Sequence, residues 1–207
     1  MEKRLLSNKL TALFNENKNR NGYLKSYCRY LSELLEKVDY ASIEAVMDCL
    51  EGARTRSSTI FFAGNGGSAA TASHFACDLG KGTIQPNRPR FKVISLVDNV
   101  PTLTAYANDF GFDTVFEGQL TTLAQPGDLA IAFSGSGNSP NVVRAMEAAE
   151  KIGIVTIGFT GFDGGKLKER VALNVHVPVH SFPLVEDVHL MLTHAICEVF
   201  KLPHDPH

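Results

Sequence analysis

Residues 2–56 of the 207-residue chain repeat apolar and aromatic side chains at intervals of three and four, without strand-like alternation. The repeat is clearest in YLKSYCRYLSELLEKV and YASIEAVMDCLEGAR, and the polar stretch NENKNRNG separates them from an earlier helical segment. Apolar positions at this spacing share one face of an α-helix. The pattern therefore predicts a helical N-terminal layer over residues 1–56, whose exposed faces are available for self-association.

From Ser57 onward, short apolar runs replace the helical pattern. They lie at 59–64, 91–97, 128–134, 154–160 and 172–178, and helix-length segments separate most of them, at 67–80, 101–109, 114–124 and 139–152. Alternating strands and helices are typical of a parallel sheet covered on both faces. Residues 184–201 predict a closing helix, and 202–207 a tail. We expect one α/β domain, a three-layer αβα sandwich with a five-stranded parallel sheet over residues 57–201.

The composition narrows the class of protein. A formal charge of −2 and a pI near 6.4 give no basic surface for nucleic acid. No apolar run approaches the roughly 18 residues typical of a membrane span, and MEKRLLSNKL does not resemble a signal peptide. The four cysteines, Cys28, Cys49, Cys77 and Cys197, form no CxxC pair, which favours reduced thiols. We expect a cytoplasmic protein that binds neither nucleic acid nor membrane directly.

Two loops rich in glycine and serine follow predicted strands, at the end of the sheet where ligands bind in such folds. The first strand ends in GNGGS and the third in SGSGNS, which together supply Asn65, Gly66, Gly67, Ser68, Ser134, Ser136 and Ser139. Exposed backbone N–H groups and hydroxyls at helix N-termini suit a phosphate. Neither loop matches GxGxxG or GxxxxGK[ST], so a single phosphate on a small molecule fits better than a nucleotide.

Five segments, in this order and spacing, resemble the SIS (sugar isomerase) domain family over residues 40–200: GNGGSAATASHFACDL, AYANDFGF, SGSGNSPNVVRAMEAAEKIGI, TGFDGGKL and EDVHLMLTH. Within that family they resemble the phosphoheptose isomerase subgroup. The resemblance implies a flavodoxin-like fold and conversion of sedoheptulose 7-phosphate to D-glycero-D-manno-heptose 7-phosphate, which feeds activated-heptose synthesis for lipopolysaccharide or capsule. It also implies a homotetramer with sites at the subunit boundaries.

The resemblance assigns roles to particular residues. Asp78 and His194 take the positions of the proton-transferring groups, and Asp98 and Asn99 those of sugar contacts. Zinc or another divalent metal is implied at His74, Asp78, Glu186 and His194, with His189 as a nearby alternative ligand. Glu186 and His194 are eight residues apart, about 12 Å along a regular helix, so both reach one ion only if their side chains lean together.

Several positions depart from the family pattern. Asp78 stands for a glutamate, Glu186 for a glutamine and Asn99 for an aspartate. Gly135 replaces a threonine in the second phosphate loop and so removes a hydroxyl. Proline and leucine at 183 and 184 replace an Asp-Arg pair, and an arginine after the catalytic helix is missing, with only Lys81 in its place. The phosphate loops are retained, whereas the identity of the sugar stays open.

Other interpretations fit the same residues. His194 alone is also typical of a hydrogen-bonded core histidine, and His74 with Asp78 is also typical of an i,i+4 helix pair. A second hypothesis is a non-catalytic phosphosugar-binding protein, or a replication-initiation partner whose family branch the DNV at 98–100 resembles. That branch lacks the acid and the last-helix histidine, and both are present here. A third is an isomerase of another phosphosugar. The remaining histidines are predicted to be structural, surface or tail residues: His176, His180, His204 and His207.

Overall fold

The computed structural model describes residues 8–202, so most of the predicted tail, with His204 and His207, lies outside the described residues. Over residues 8–56, the described part of the predicted N-terminal layer, three helices are present: α1 (Asn8–Asn17), α2 (Arg20–Leu35) and α3 (Tyr40–Arg56). Asn19 and Asp39 cap α2 and α3, because their side chains accept hydrogen bonds from the backbone N–H groups of Gly22 and Ala41. The N-terminal helices expected from the periodicity are thus confirmed.

Five parallel strands form one sheet in the order β2-β1-β3-β4-β5. They are β1 (Thr59–Gly64), β2 (Lys92–Ser95), β3 (Leu129–Ser134), β4 (Val155–Thr160) and β5 (Leu173–His176). Each strand lies inside the run that predicted it. The flavodoxin-like α/β fold is confirmed.

Six helices follow the first strand: α4 (Gly67–Cys77), α5 (Val100–Phe110), α6 (Glu117–Leu123), α7 (Pro140–Ile152), α8 (Gly165–Arg170) and α9 (Phe182–Lys201). A π-helical turn, Asp78–Gly82, continues α4, and a 3-10 turn, Phe112–Thr114, precedes α6. The sequence did not predict α8, because its six residues follow a glycine-rich turn and carry too little apolar periodicity. The other helices lie close to the predicted segments.

Alternation along the strands divides the core between the two faces of the sheet. In β1, Ile60 and Phe62 face α3, α4 and α9, whereas Phe61 and Ala63 face α6 and α7. All four side chains are almost completely buried. Burial of a phenylalanine or isoleucine contributes about 1.5–3 kcal/mol relative to exposure. These contacts hold α4 and α7, the helices that follow the two serine-rich loops, against opposite faces of the sheet.

A hydrogen bond joins α2 of the N-terminal layer to the closing helix. The Tyr27 hydroxyl on α2 donates to Asp187 Oδ2 on α9 across 2.5 Å. Burial raises the pKa of Tyr27, and the hydrogen bond to Asp187 raises it further, so the phenol stays protonated. Within residues 8–202, no helix has the length and apolar content that crossing a membrane requires.

His189 lies in the core beneath the carboxyl end of β4. Its Nε2 is 3.3 Å from the carbonyl oxygen of Thr160, which can only accept, so this nitrogen carries the proton. Nδ1 has no hydrogen-bond partner among the described residues, and the ring packs against both Phe133 and Phe159. Complete burial lowers the pKa of His189 to about 4.

We expect His189 alone to reduce stability by up to about 2 kcal/mol between pH 7.5 and pH 5. The unfolded chain takes up a proton near pH 6.5, whereas folded His189 stays neutral until about pH 4, so acid favours the unfolded chain. Urea unfolding at these pH values measures the effect beside His189→Gln, whose amide keeps a donor toward Thr160 but does not titrate. The wild type should lose more free energy of unfolding than the variant, and equal losses would contradict the assignment.

Candidate active site

The two serine-rich loops lie side by side because β1 and β3 are adjacent in the sheet. Gly64, the last residue of β1, pairs with Phe133, and Ser134 ends β3 one residue later. Asn65 and Asn141 then exchange two amide hydrogen bonds, of 2.8 and 2.9 Å, between the loop after β1 and helix α7. This reciprocal pair fixes the two loops relative to each other.

Between the loops lies a cavity of about 110 Å³. Five of the seven predicted phosphate-binding residues line it. The full lining consists of Asn65, Ser68, Phe133, Ser134, Gly135, Ser136, Ser139, Phe182 and Glu186. The N-termini of α4, α7 and α9 meet there, and none of the three has a side-chain cap. Uncapped helix N-termini leave backbone donors and a partial positive charge for an anion. The geometry suits one phosphate group.

Glycines shape the loop after β3. Gly137 has a φ of 65°, and a methyl group built on it would lie 1.9 Å from the carbonyl oxygen of Gly164. The close approach lets the Gly137 carbonyl accept from Leu167 N–H, while its own N–H donates to the Ser134 hydroxyl at 3.1 Å. Only glycine combines this φ with this contact. The loop is thereby fastened to the start of α8.

His74, Asp78 and His194 form a second cluster, about two turns along α4 from Ser68. Asp78 Oδ2 lies 3.3 Å from His74 Nε2 and 3.8 Å from His194 Nε2, and the two histidine nitrogens are 3.4 Å apart. The three side chains are between 35 and 47% exposed, so solvent and small molecules reach them. The structure therefore brings together the predicted acid and both predicted histidines from α4 and α9.

The cluster has the chemistry of a cation site. One atom from each of the three residues lies within 4.8 Å of the others. Imidazole nitrogens with a carboxylate oxygen are ligands that zinc accepts, and three protein ligands leave a position for substrate or water. Asp78 is also the first residue of the π-helical turn that continues α4, and such turns are frequent at functional sites.

Glu186 lies elsewhere, in the serine-lined cavity. A methyl group built on Gly67 would lie 2.3 Å from Glu186 Oε2, so the carboxylate rests against the first turn of α4. Burial raises the pKa of Glu186, and the charge of Asp187 acts in the same direction. Glu186 does not join the group formed by His74, Asp78 and His194 in the described residues. His189, the alternative ligand, is buried in the core.

Asp98 and Asn99 follow β2, at the same end of the sheet. Both are exposed. Asn99 caps α5, because its side chain accepts from Thr102 N–H at 3.1 Å. They lie outside the lining of the serine-rich cavity, and their role as sugar contacts stays a prediction.

The sequence patterns did not point to two residues that shape the site, Asn141 beside the cavity and Phe182 in its lining. Asn141 was overlooked because a single asparagine in SPN gives no signal of its partner 76 residues away. Phe182 was overlooked because an aromatic residue before a helix is ordinary. Its ring packs on Gly135, where a built methyl group would lie 2.9 Å from a ring carbon. Phe182 thus occupies space beside the position where the family has threonine.

A larger cavity, of about 330 Å³, lies at the opposite end of β3 and β4 and is lined in part by Cys49, Arg56 and Asp128. Asp128 is already engaged there, since it accepts from the backbone N–H groups of Thr59 and Gln125 at 2.8 Å. In open α/β sheets ligands bind at the carboxyl ends of the strands. The serine-lined cavity, although smaller, is therefore the better candidate site.

Comparisons with known proteins agree with this geometry. A family model described as the SIS domain matches residues 22–161. That range contains both serine-rich loops, His74 and Asp78, and it ends before α9. The phosphoheptose isomerase of Aliarcobacter butzleri is 39% identical over 169 residues, which cover 82% of this chain and 85% of that protein.

Two solved structures are also similar. A phosphoheptose isomerase from Francisella tularensis matches with a TM-score of 0.80 at 25% identity, over 87% of this chain and 95% of that one. The phosphoheptose isomerase from Neisseria gonorrhoeae matches with a TM-score of 0.76 at 29% identity, over 86% of this chain and 97% of that one. The fold similarity therefore extends through nearly the whole length of both proteins.

We expect Gly137→Ala to destabilise the protein by at least about 2 kcal/mol more than Gly127→Ala. Both glycines have positive φ, 65° and 89°, but a methyl group on Gly127 has no atom within 4 Å. Gly127→Ala therefore measures the backbone strain alone. Urea unfolding of both variants gives the difference, and calorimetry with inorganic phosphate should show binding lost only in Gly137→Ala. Equal destabilisation would mean that the close contact with Gly164 is unimportant.

Proposed function

The chain belongs to the SIS domain family and, within it, to the phosphoheptose isomerases, and we propose that it converts sedoheptulose 7-phosphate to D-glycero-D-manno-heptose 7-phosphate. This is an aldose–ketose isomerisation. The observation that carries the proposal is the arrangement along α4, whose amino end borders the serine-lined cavity and whose carboxyl end holds Asp78 beside two histidines. The product would enter activated-heptose synthesis for lipopolysaccharide or capsule, in the cytoplasm.

The cavity is proposed to hold the phosphate. Ser68, Ser134, Ser136 and Ser139 offer hydroxyls, and the Gly66–Gly67 backbone offers N–H groups at the uncapped start of α4. Asn65, held by Asn141, shapes the loop. Removal of one hydroxyl is expected to weaken binding modestly, because several donors share the anion.

The spacing along α4 agrees with a sugar of this length. Ser68 and His74 are six residues apart, about 9 Å along the axis, and Asp78 is about 6 Å further. An extended heptose 7-phosphate measures about 10 Å from phosphorus to C1, with single bonds near 1.5 Å. With its phosphate in the cavity, C1 and C2 of such a molecule would lie near the His74–Asp78–His194 cluster.

Asp78 and His194 are proposed to move the protons. The reaction needs a base that removes a proton from C1 of the ketose and returns it to C2, and an acid that transfers a proton between the two oxygens. The Asp78 carboxylate is the natural base of the cluster. His194, 3.8 Å from it, has a ring nitrogen that can serve the oxygens. The helices hold both groups before substrate arrives, so little reorganisation is needed.

Zinc, or another divalent metal, fits this cluster. His74, Asp78 and His194 would hold it, and Glu186 would have to leave the cavity to become a fourth ligand. A bound divalent ion would polarise the sugar carbonyl as a Lewis acid. The chain's own groups would still position the phosphate and transfer the protons.

The binding-protein alternative has less support. A replication-initiation partner or a phosphosugar sensor needs the phosphate pocket but no acid–base cluster. Here Asp78 and His194 lie 3.3 and 3.4 Å from His74 Nε2 and 3.8 Å from each other, a convergence that a pure binding role does not require. Isomerisation of a different phosphosugar is the remaining alternative, because the sugar-contacting positions depart from the family.

We expect purified protein to convert sedoheptulose 7-phosphate to the aldose, followed by NMR, and Asp78→Asn to lower the rate at least about 100-fold. Glu198→Gln, which removes an exposed carboxylate from α9, is the matched control and should retain wild-type turnover. Chelation should lower turnover, and added zinc should restore it. Phosphosugar binding without turnover, with or without zinc, would favour a binding protein or another sugar.

We further propose a homotetramer in which α5 is part of an interface. None of the residues of α5 is buried, and Val100 and Phe110 are 60 and 69% exposed, with Phe112 following at 55%. Phe110 and Phe112 lie two residues apart in the chain, and large apolar side chains left exposed close together are typical of interaction surfaces. The family resemblance supplies the expected tetramer.

Sedimentation velocity should give a species near 4 × 22.5 kDa, about 90 kDa. Phe110→Asp should shift it toward smaller species, because a charge at a buried contact is costly. A tetramer unaffected by this substitution would place the interface elsewhere, and a monomeric wild type would contradict the assembly.

A further inference from the structure

The serine-lined cavity already contains a carboxylate side chain of the chain itself. Glu186, on the second turn of α9, shares the cavity lining with four serines. Its Oε2 and Oε1 would lie 2.3 and 2.7 Å from a methyl group built on Gly67. The carboxylate therefore occupies the space that the absence of a Gly67 side chain opens at the start of α4.

The surroundings of this carboxylate are those that a phosphate would use. The uncapped N-termini of α4 and α7 carry partial positive charge, which favours any anion placed there. Glu186 has no partner of opposite charge among the ion pairs of the described residues. A phosphate that enters the cavity meets a like charge at contact distance, in a partly buried place where screening is weak.

We propose that Glu186 acts as an internal anion that competes with phosphate, so that a phosphosugar binds as the carboxylate leaves the first turn of α4. The inference rests on the proposed function, since it assigns the pocket to phosphate. It also gives Glu186 a role other than a ligand of the His74–Asp78–His194 cluster. The competition lowers the affinity for phosphate and for phosphosugars alike, so tight binding requires the further contacts that a sugar portion adds.

The test is calorimetric titration of inorganic phosphate, in chloride buffer of fixed ionic strength, into wild type and Glu186→Gln. Glutamine keeps the shape of the side chain and removes its charge. We expect phosphate to bind Glu186→Gln at least about tenfold more tightly. Glu186→Ala, which adds no amide donor, should also bind more tightly, and this separates removal of the charge from a new hydrogen bond.

Glu198→Gln is the matched control, because it removes one carboxylate from the same helix far from the cavity, where it pairs with Lys201. Its phosphate affinity should stay within about twofold of wild type, since distant exposed charges are screened. Ser136→Ala in the Glu186→Gln background should weaken the gain, which locates the bound phosphate in this cavity. Urea unfolding establishes that each variant is folded.

Unchanged or weaker phosphate binding in both Glu186 variants overturns the proposal. Loss of zinc affinity in Glu186→Gln with unchanged phosphate affinity also overturns it, in favour of a metal-ligand role. Turnover of sedoheptulose 7-phosphate is measured separately in the wild type. If turnover is present without a phosphate gain, only this inference fails. If the gain appears without turnover, the isomerase proposal fails and the competition stands.

Discussion

The parallel pairing of β1 with β3 is the interaction on which the site depends. These strands are neighbours in the sheet although β2 lies between them in the chain, and their register brings Gly64 level with Phe133. The two strands therefore end at the same level of the sheet. The helix that follows each strand, α4 or α7, packs on the opposite face from the other. The amide pair of Asn65 and Asn141 completes the junction. Every group proposed to contact phosphate is placed by this one register.

Much of the fold follows from local patterns, and the reason is physical. Parallel strands that are buried on both faces require continuous apolar runs. Short runs such as TIFFAG and LAIAFS therefore predict such strands directly. The π-helical turn at Asp78 and the short helix α8 were not predicted, because both depend on tertiary contacts rather than on periodicity. Tertiary packing also decides strand ends, which is why β2 and β5 are shorter than their apolar runs.

The candidate site was partly predictable. His74 and Asp78 share a helix, so their proximity follows from their spacing, whereas the approach of His194 depends on how α9 docks on α4. The position of Glu186 could not be deduced, because its side chain takes a place that exists only when α4, α7 and α9 converge. Phe182 shows the same limit, since its contact with Gly135 joins residues 47 positions apart (182 − 135).

The hydrogen bond between Tyr27 and Asp187 changes what counts as the smallest transplantable unit of this molecule. A graft of the site onto another scaffold that kept the strands, the two loops and α9 would leave out α1 and α2, which contribute no residue to the cavity lining. Asp187, directly next to Glu186 in the sequence, would then lose its phenolic donor. The smallest transferable unit therefore begins at α2, because that helix supplies the hydrogen bond to α9.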